Sequence, residues 1–257
     1  MHITRSCTFS CLALVVLVAL GGQAFAQTLG FDFSVAPQVT AGEAPLEWYT
    51  DRYAPAGFSA ASGILRESVS PSGFQTPTPS FYNTQGNKFD LLAGTTLISI
   101  EVYVPSTWEL LPERLAGFWA TAVNSSYVVG NDYPIIEFQG PITTEVPGPS
   151  YYPNGGVAGF YGWNNMNNGW DYIGLPTGFR YNSWVKLTMA LSSGQFTYIV
   201  ANSAGADAVS ISSPLSDPTE AYLGNVILEA YNYDAPITIE WKALKFSFNS
   251  NGQIVWN

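Results

Sequence analysis

Residues 159–176 read GFYGWNNMNNGWDYIGLP, placing two tryptophans, two tyrosines and four asparagines in eighteen positions. Flat rings offer an apolar face, and carboxamides both donate and accept hydrogen bonds. Such a set suits the hydroxyl-bearing rings of sugars. Trp163, Trp170 and Tyr172 supply the rings, Asn164 and Asn165 supply amides, and Trp119 is an outward ring candidate on a separate segment. The competing reading of the same stretch is structural. NNMNNG is turn chemistry, because Asn and Gly tolerate positive φ. The stretch is then a hairpin with a six-residue tip, its rings packing it onto the body of the fold. In that reading Trp163 and Trp170 face each other across the strand ends.

The chain's first residues decide which other chemistries remain. Arg5, the apolar run Leu12–Leu20, and Ala24 and Ala26 at small-residue positions form the three-part layout of an export leader. The expected organisation is a signal peptide over 1–26 and one domain over 27–257. The apolar run is too short for a bilayer span, which takes about 20 residues, so no membrane insertion is expected. His2, the only histidine, and Cys7 and Cys11, the only cysteines, leave with the leader. The remaining chain has no imidazole and no thiol. That excludes a Ser-His-Asp triad, a cysteine nucleophile, a Cys/His zinc site and disulfides. No cofactor is expected. The net charge of the whole sequence is −10, and loss of Arg5 adds one more negative unit. Nucleic acid and anionic surfaces are repelled; a neutral glycan or polysaccharide is not. The expected location is extracellular or periplasmic.

The elements that must position these groups are strands. Ile98, Ile100, Val102 and Val104 share one face of a period-two run, with Ser99, Glu101 and Tyr103 opposite. Val185, Leu187, Met189 and Leu191 repeat the pattern. Further strands are predicted over 115–123, 135–139, 156–163, 195–201, 208–212, 222–231 and 237–248, with one short helical turn over 109–116. Many strands separated by turns, without helices, give an all-β sandwich or closed barrel. In EWYTDRYAPAGF (47–58) the rings of Trp48, Tyr49 and Tyr53 are expected to cover a sheet edge, with Asp51 and Arg52 solvated. Residues 140–156, rich in Pro and Gly, read as an ordered surface excursion.

RYNSWVKLTMALSSGQFTYIVANS (180–203) opens a strand on Trp, turns at Gly and returns on aromatics. This resembles a hairpin of the concanavalin A-like lectin/glucanase and laminin-G-like domains. VILEAYNYDAPITIEWKALKFS (226–247) is similar to their final strands, and FYNTQGNKFDL, TLISIEVYVP and YPIIEF to their middle ones. The resemblance implies a two-sheet antiparallel jelly roll over residues 31–248, a fold that hosts lectins, glycosidases, lyases and adhesion modules alike. It also sets tests. The glucanases' Glu-x-Asp-x-x-Glu string is absent; Glu137 stands alone on its strand, and Asp132 is at odd spacing from it. Glu101 is the acid that would have to meet Glu137 across neighbouring strands. Retaining hydrolysis needs carboxyls about 5–5.5 Å apart. The jelly-roll alginate lyases use Arg, Gln, His and Tyr; here Gln139, Arg180 and Tyr181 supply three of the types, without the histidine. The superfamily's structural Ca²⁺ between terminal strands has Asp32 and Glu240 as its candidate acids. The expected function is non-catalytic, lectin-like binding of a glycan by stacking and amide hydrogen bonds. The alternatives are a polysaccharide-degrading hydrolase or lyase, and a structural or adhesion component of the envelope.

Overall fold

The computed structural model describes residues 27–43, 47–70, 84–111, 114–141, 156–231 and 236–248. The expected leader, and most of the excursion at 140–156, lie outside the described residues. In chain order the strands are β1 (Gln27–Phe31), β2 (Val39–Thr40), β3 (Trp48–Thr50), β4 (Gly57–Ala61), β5 (Ile64–Val69), β6 (Thr84–Asp90), β7 (Thr95–Val104), β8 (Arg114–Trp119), β9 (Ala122–Asn124), β10 (Ile135–Gln139), β11 (Gly159–Asn164), β12 (Gly169–Gly174), β13 (Ser183–Ser192), β14 (Gln195–Asn202), β15 (Val209–Pro214), β16 (Glu220–Leu223), β17 (Asn225–Tyr231) and β18 (Ile237–Phe248). Sheet I has the order β15-β14-β13-β7-β18-β5-β4, with β1 also paired to β18; sheet II has the order β12-β11-β10-β8-β17-β6-β3-β2. Strands β16 and β9 form a small third sheet. Among the described strands every pairing is antiparallel except β2 with β3.

Alternation builds the core. Ile98, Ile100, Val102 and Val104 on β7 are fully buried, as are Leu187 and Met189 beside them on β13. They meet Ile136 and Phe138 of β10, Phe118 of β8, Phe160 of β11 and Leu228 of β17 in one cluster between the sheets. Each such side chain contributes roughly 1.5–3 kcal/mol by leaving water. The β13–β14 hairpin closes on Ser193 and Gly194, at φ 52° and 74°. Two consecutive positive φ values make a turn whose twist matches the strands it joins.

The strands over 135–139 and 237–248 have the predicted bounds, and β7 and β13 differ by one or two residues at their ends. Two runs expected to be continuous are broken: 115–123 into β8 and β9, and 222–231 into β16 and β17. At the first break the chain leaves sheet II for the third sheet, and at the second it passes from the third sheet into sheet II, tertiary choices that carry no local signal. The helical turn is a 3-10 segment at Ser106–Glu109 and not 109–116. The tip of the 159–174 hairpin is four residues, because Asn164 and Gly169 pair within it. Trp48 and Tyr49 are buried next to the short β2 rather than covering an edge, and Arg52 is engaged with carboxylates rather than solvated.

Candidate functional site

The outer face of sheet II carries two rows of side chains. Strand register places Trp170 against Trp163, and Trp119 against both Ile135 and Ile227. These residues and Tyr161 form a second apolar cluster, separate from the sandwich interior. The neighbouring row runs Tyr172, Tyr161, Glu137, Gly117, Glu229, Gly86 across six strands. Trp163 and Trp170 are edge-to-face, 5.2 Å between ring centroids. The structural reading of the aromatic stretch therefore holds for Trp170, which is only 2% exposed. Trp163 and Tyr172 are half-buried.

The middle of this face is closed. Trp119, Glu137, Gln139 and Glu229 are buried. Trp119 Nε1 donates to Glu137 Oε1 at 2.9 Å, and the Arg52 guanidinium lies 5.2 Å from the Trp119 ring centroid. Arg52 also lies 2.8 Å from Asp51 and 3.4 Å from Glu229, which accepts a 2.7 Å bond from Thr84 Oγ1. Burial pushes the Glu229 carboxyl up to about 8; Arg52 pulls it down, while Asp51 and Glu137 add to the rise. Gly117 separates the two glutamates. A Cβ there would sit 2.8 Å from Trp119 Nε1 and 3.0 Å from the Glu229 carbonyl oxygen. With one strand between them, their backbones stand roughly 9–10 Å apart.

One end of the face is open. A pocket of about 150 Å³ is lined by Trp119, Trp163, Asn165, Asn168, Asn131, Asp132, Tyr133, Ile135 and Ser216. That volume leaves room for a small ring at the mouth. Its walls are fixed. Tyr198 Oη, reaching through from sheet I, donates to the Trp163 carbonyl at 2.8 Å. Asn165 Oδ1 accepts from the Tyr133 amide at 2.9 Å, leaving its buried Nδ2 without a partner among the described residues. An unpaired buried donor costs about 1–3 kcal/mol, so this amide is primed for an acceptor. Asn164 is spent locally: its Nδ2 donates to Asp171 at 2.8 Å and its Oδ1 accepts from the Asn167 amide. Asp132 accepts from the amide and hydroxyl of Ser216, and its own amide donates to Glu220 Oε1 at 2.9 Å. Burial first, then the adjoining Asp132 and Asp217, push Glu220 up to about 7.

The remaining candidates fall elsewhere. Glu101 points away from the core on sheet I, 3.3 Å from Lys242 Nζ, so it and Glu137 lie on opposite sides of the sandwich. The Glu101–Glu137 pair is thus corrected: β7 and β10 are in different sheets, and the carboxyl sharing a face with Glu137 is Glu229. Gln139 is buried on sheet II with its Nε2 on the Gly140 carbonyl, whereas Arg180 lines a groove beside sheet I. Tyr181, its phenol pushed up by burial and by Glu109, packs edge-to-face on Phe179. These three do not form a common lyase site. Asp32 and Glu240 do not fit a shared Ca²⁺ either. Asp32 is folded onto the amide and hydroxyl of Ser34, and Glu240 lies 2.8 Å from Arg66 Nε. Among the described residues no three His, Cys, Asp or Glu side chains cluster as metal ligands.

Glu229 and Glu220 were not singled out from the sequence, and Asp132 was weighed only against Glu137. Their spacing signals exist, since Glu229 shares its strand face with Ile227, but the register that sets Glu229 across Gly117 from Glu137 is a property of the sheet.

No family model matches this chain, and no curated protein does. Solved structures do. Lectin UEA-II, complexed with galactose, is 10% identical with a TM-score of 0.52, covering 86% of this chain and 98% of its own. Lectin I from Ulex europaeus, in complex with the methyl glycoside of α-L-fucose, is 13% identical with a TM-score of 0.50, at 86% and 97% coverage. The CBM2 module of the evolved Dit of Lactobacillus casei BL23 phage J-1 is 10% identical with a TM-score of 0.50, at 90% and 98%. At such identities the likeness speaks for the fold. Together with the two antiparallel sheets and their order, it identifies this chain's fold as an antiparallel β-sandwich of the concanavalin A-like jelly-roll kind.

Proposed function

We propose that this protein is an exported, lectin-like module that binds a neutral glycan without turning it over, and that the contact is the pocket at the open end of sheet II. The observation that carries the reading is the meeting of Trp163, half-buried and held at its backbone, with the unpartnered Asn165 Nδ2 in a pocket of one-ring size. A sugar edge-on to Trp163 would pair its oxygen with Asn165 and its hydroxyls with the Asn131 and Asn168 side chains. Nothing in this recognition calls for a metal or an ionised catalyst. The galactose and fucose glycoside in the named lectins support a sugar as ligand class, and the acidic charge favours a neutral one. Retention of the full chain on an array of neutral glycans tests this. Trp163→Ala and Asn165→Ala should each weaken retention tenfold or more while the protein stays folded.

A second reading is favoured by one observation. Glu137 and Glu229 flank Gly117 on one face, and burial pushes the Glu229 carboxyl well above its ordinary value. Inverting glycosidases set their acid and base about 6.5–9.5 Å apart. Release of reducing ends from a neutral polysaccharide, abolished in Glu229→Gln, would select this hydrolase. We rank it second because both carboxyls are closed off from solvent.

A further inference from the structure

Sheet I carries a second cavity that shares no lining residue with the pocket on sheet II. It is a groove of about 520 Å³ between the β12–β13 connection and the β14–β15 turn, lined by Thr177, Arg180, Ser183, Trp184, Asn202 and Asp207 among others. Its walls are tied together, since the Thr177 amide donates to the Asp207 carbonyl at 3.2 Å. Asn202 Nδ2 donates to Asp207 Oδ2 at 2.9 Å, and its Oδ1 accepts from the Ala206 amide at 3.0 Å. Ser183 Oγ donates to the Arg180 carbonyl at 2.5 Å, pinning the other wall. Trp184 is half-buried on the outer face of β13.

Strand order shows how the indole is held. On the flank toward β7 and β18, Lys242 Nζ lies 4.3 Å from the Trp184 ring centroid and the Tyr103 ring packs at 5.5 Å. Lys242 is itself anchored by Glu101 at 3.3 Å. On the opposite flank, toward β14, Trp184 borders the groove. The ring is therefore braced from one side and free to receive a ligand from the other. Arg180 is exposed in the groove and makes no ion pair among the described residues. It faces the same space as Asp207, which keeps one carboxylate oxygen beyond its bond to Asn202.

We propose that this groove is a second carbohydrate-binding site, taking a neutral oligosaccharide of several residues. One sugar ring stacks on Trp184, Asp207 accepts from its hydroxyls, and Arg180 and Thr177 donate to its oxygens. A braced ring, one acceptor carboxylate and one unpaired donor fork match a polyhydroxylated ligand with no net charge. An acidic sugar would meet Asp207 and an acidic molecule. The groove's volume, over three times that of the sheet II pocket, suits a chain segment rather than one ring. Sites on opposite sheets let one molecule bridge two glycan chains, with the gain in apparent affinity that multivalency brings.

The test uses the full chain, with cellotetraose, xylotetraose and mannotetraose as separate probes, followed by the indole N–H resonances of Trp184 and Trp163. The expected result is a saturable shift of Trp184 with at least one probe. That shift should weaken tenfold or more in Arg180→Gln and in Asp207→Asn, conservative changes at exposed groups. Trp184→Phe, which keeps a ring, should retain part of the binding. A Trp184 resonance unmoved by all three probes overturns the proposal, as does wild-type affinity in both Arg180→Gln and Asp207→Asn. A shift of Trp163 alone overturns it while leaving the sheet II pocket standing. A shift of Trp184 alone supports it and removes support from the other pocket.

Discussion

The two hairpin tryptophans, adjacent in register, separate structure from recognition. Trp170 is 2% exposed and Trp163 is half-buried over the pocket. Trp170→Ala should cost about 3–5 kcal/mol, the usual price of truncating a core aromatic. Trp163→Ala should cost less than half as much, with the difference read from urea unfolding midpoints of the two variants. Their pairing was legible, because Asn-Gly turn chemistry between two aromatic runs leaves few other geometries. Which ring the fold would bury was not legible, since a strand pattern says which residues share a face and nothing about what lies above it. The same limit hid the polar cluster. Glu137 could be placed on an outward face, but its Trp119 bond and its separation from Glu229 by Gly117 depend on which strands become neighbours. Glu101, read as its partner, went to the other sheet for the same reason.

At the scale of elements, the segment from Asn124 to Tyr133 forms one wall of the pocket and is clamped from below. Asp132 holds Ser216, and Glu220 holds the Asp132 amide. Gly130 allows the approach: a Cβ there would lie within 2.0 Å of Glu220 Oε1. Gly130→Ala should therefore loosen this wall, seen as faster amide exchange over 124–133 with little change in β7 or β13. Strands β7, β13, β10 and β18 were readable because their sequences carry period-two runs of apolar residues aimed at the core, even though β10 is buried on both faces and β18 shifts phase at a bulge between Lys242 and Lys245. Strands β1 to β6 are not legible from their pattern. They are short, or, as in β6 (TQGNKFD), place Gln85 and Asn87 at buried positions where alternation leads one to expect apolar side chains. Asn87 has no hydrogen-bond partner at either amide atom among the described residues.

Across the molecule, four carboxyls among the described residues share one direction of shift: burial raises Asp90, and it raises three glutamates as well. Burial raises Glu220 to about 7 and Glu229 to about 8, and holds Glu67, whose Oε2 accepts from Trp241 Nε1 at 3.2 Å, well above its ordinary value. A raised carboxyl binds its proton more tightly in the folded state than in the unfolded one. Its contribution is fully present below about pH 4.5, the unfolded value, and is lost as pH rises through the folded value. The protein should thus melt at a higher temperature at pH 5 than at pH 9. Glu229→Gln should flatten that slope, and scanning calorimetry across the range checks both. The fold class was legible, because period-two runs separated by Gly, Pro, Asn and Ser, with no helical stretch, leave a β-sandwich as the architecture. The position of the open pocket was not, because it lies where segments far apart in sequence, around residues 131–135, 163–168 and 216, meet. The most direct measurement is equilibrium binding of neutral glycans to the full chain and to Trp163→Ala, at equal folded fraction, with reducing ends assayed in the same samples. The account predicts binding by the parent chain, at least tenfold weaker binding by the variant, and no reducing ends. Equal binding by the two proteins, or sugar release that Glu229→Gln abolishes, would contradict it.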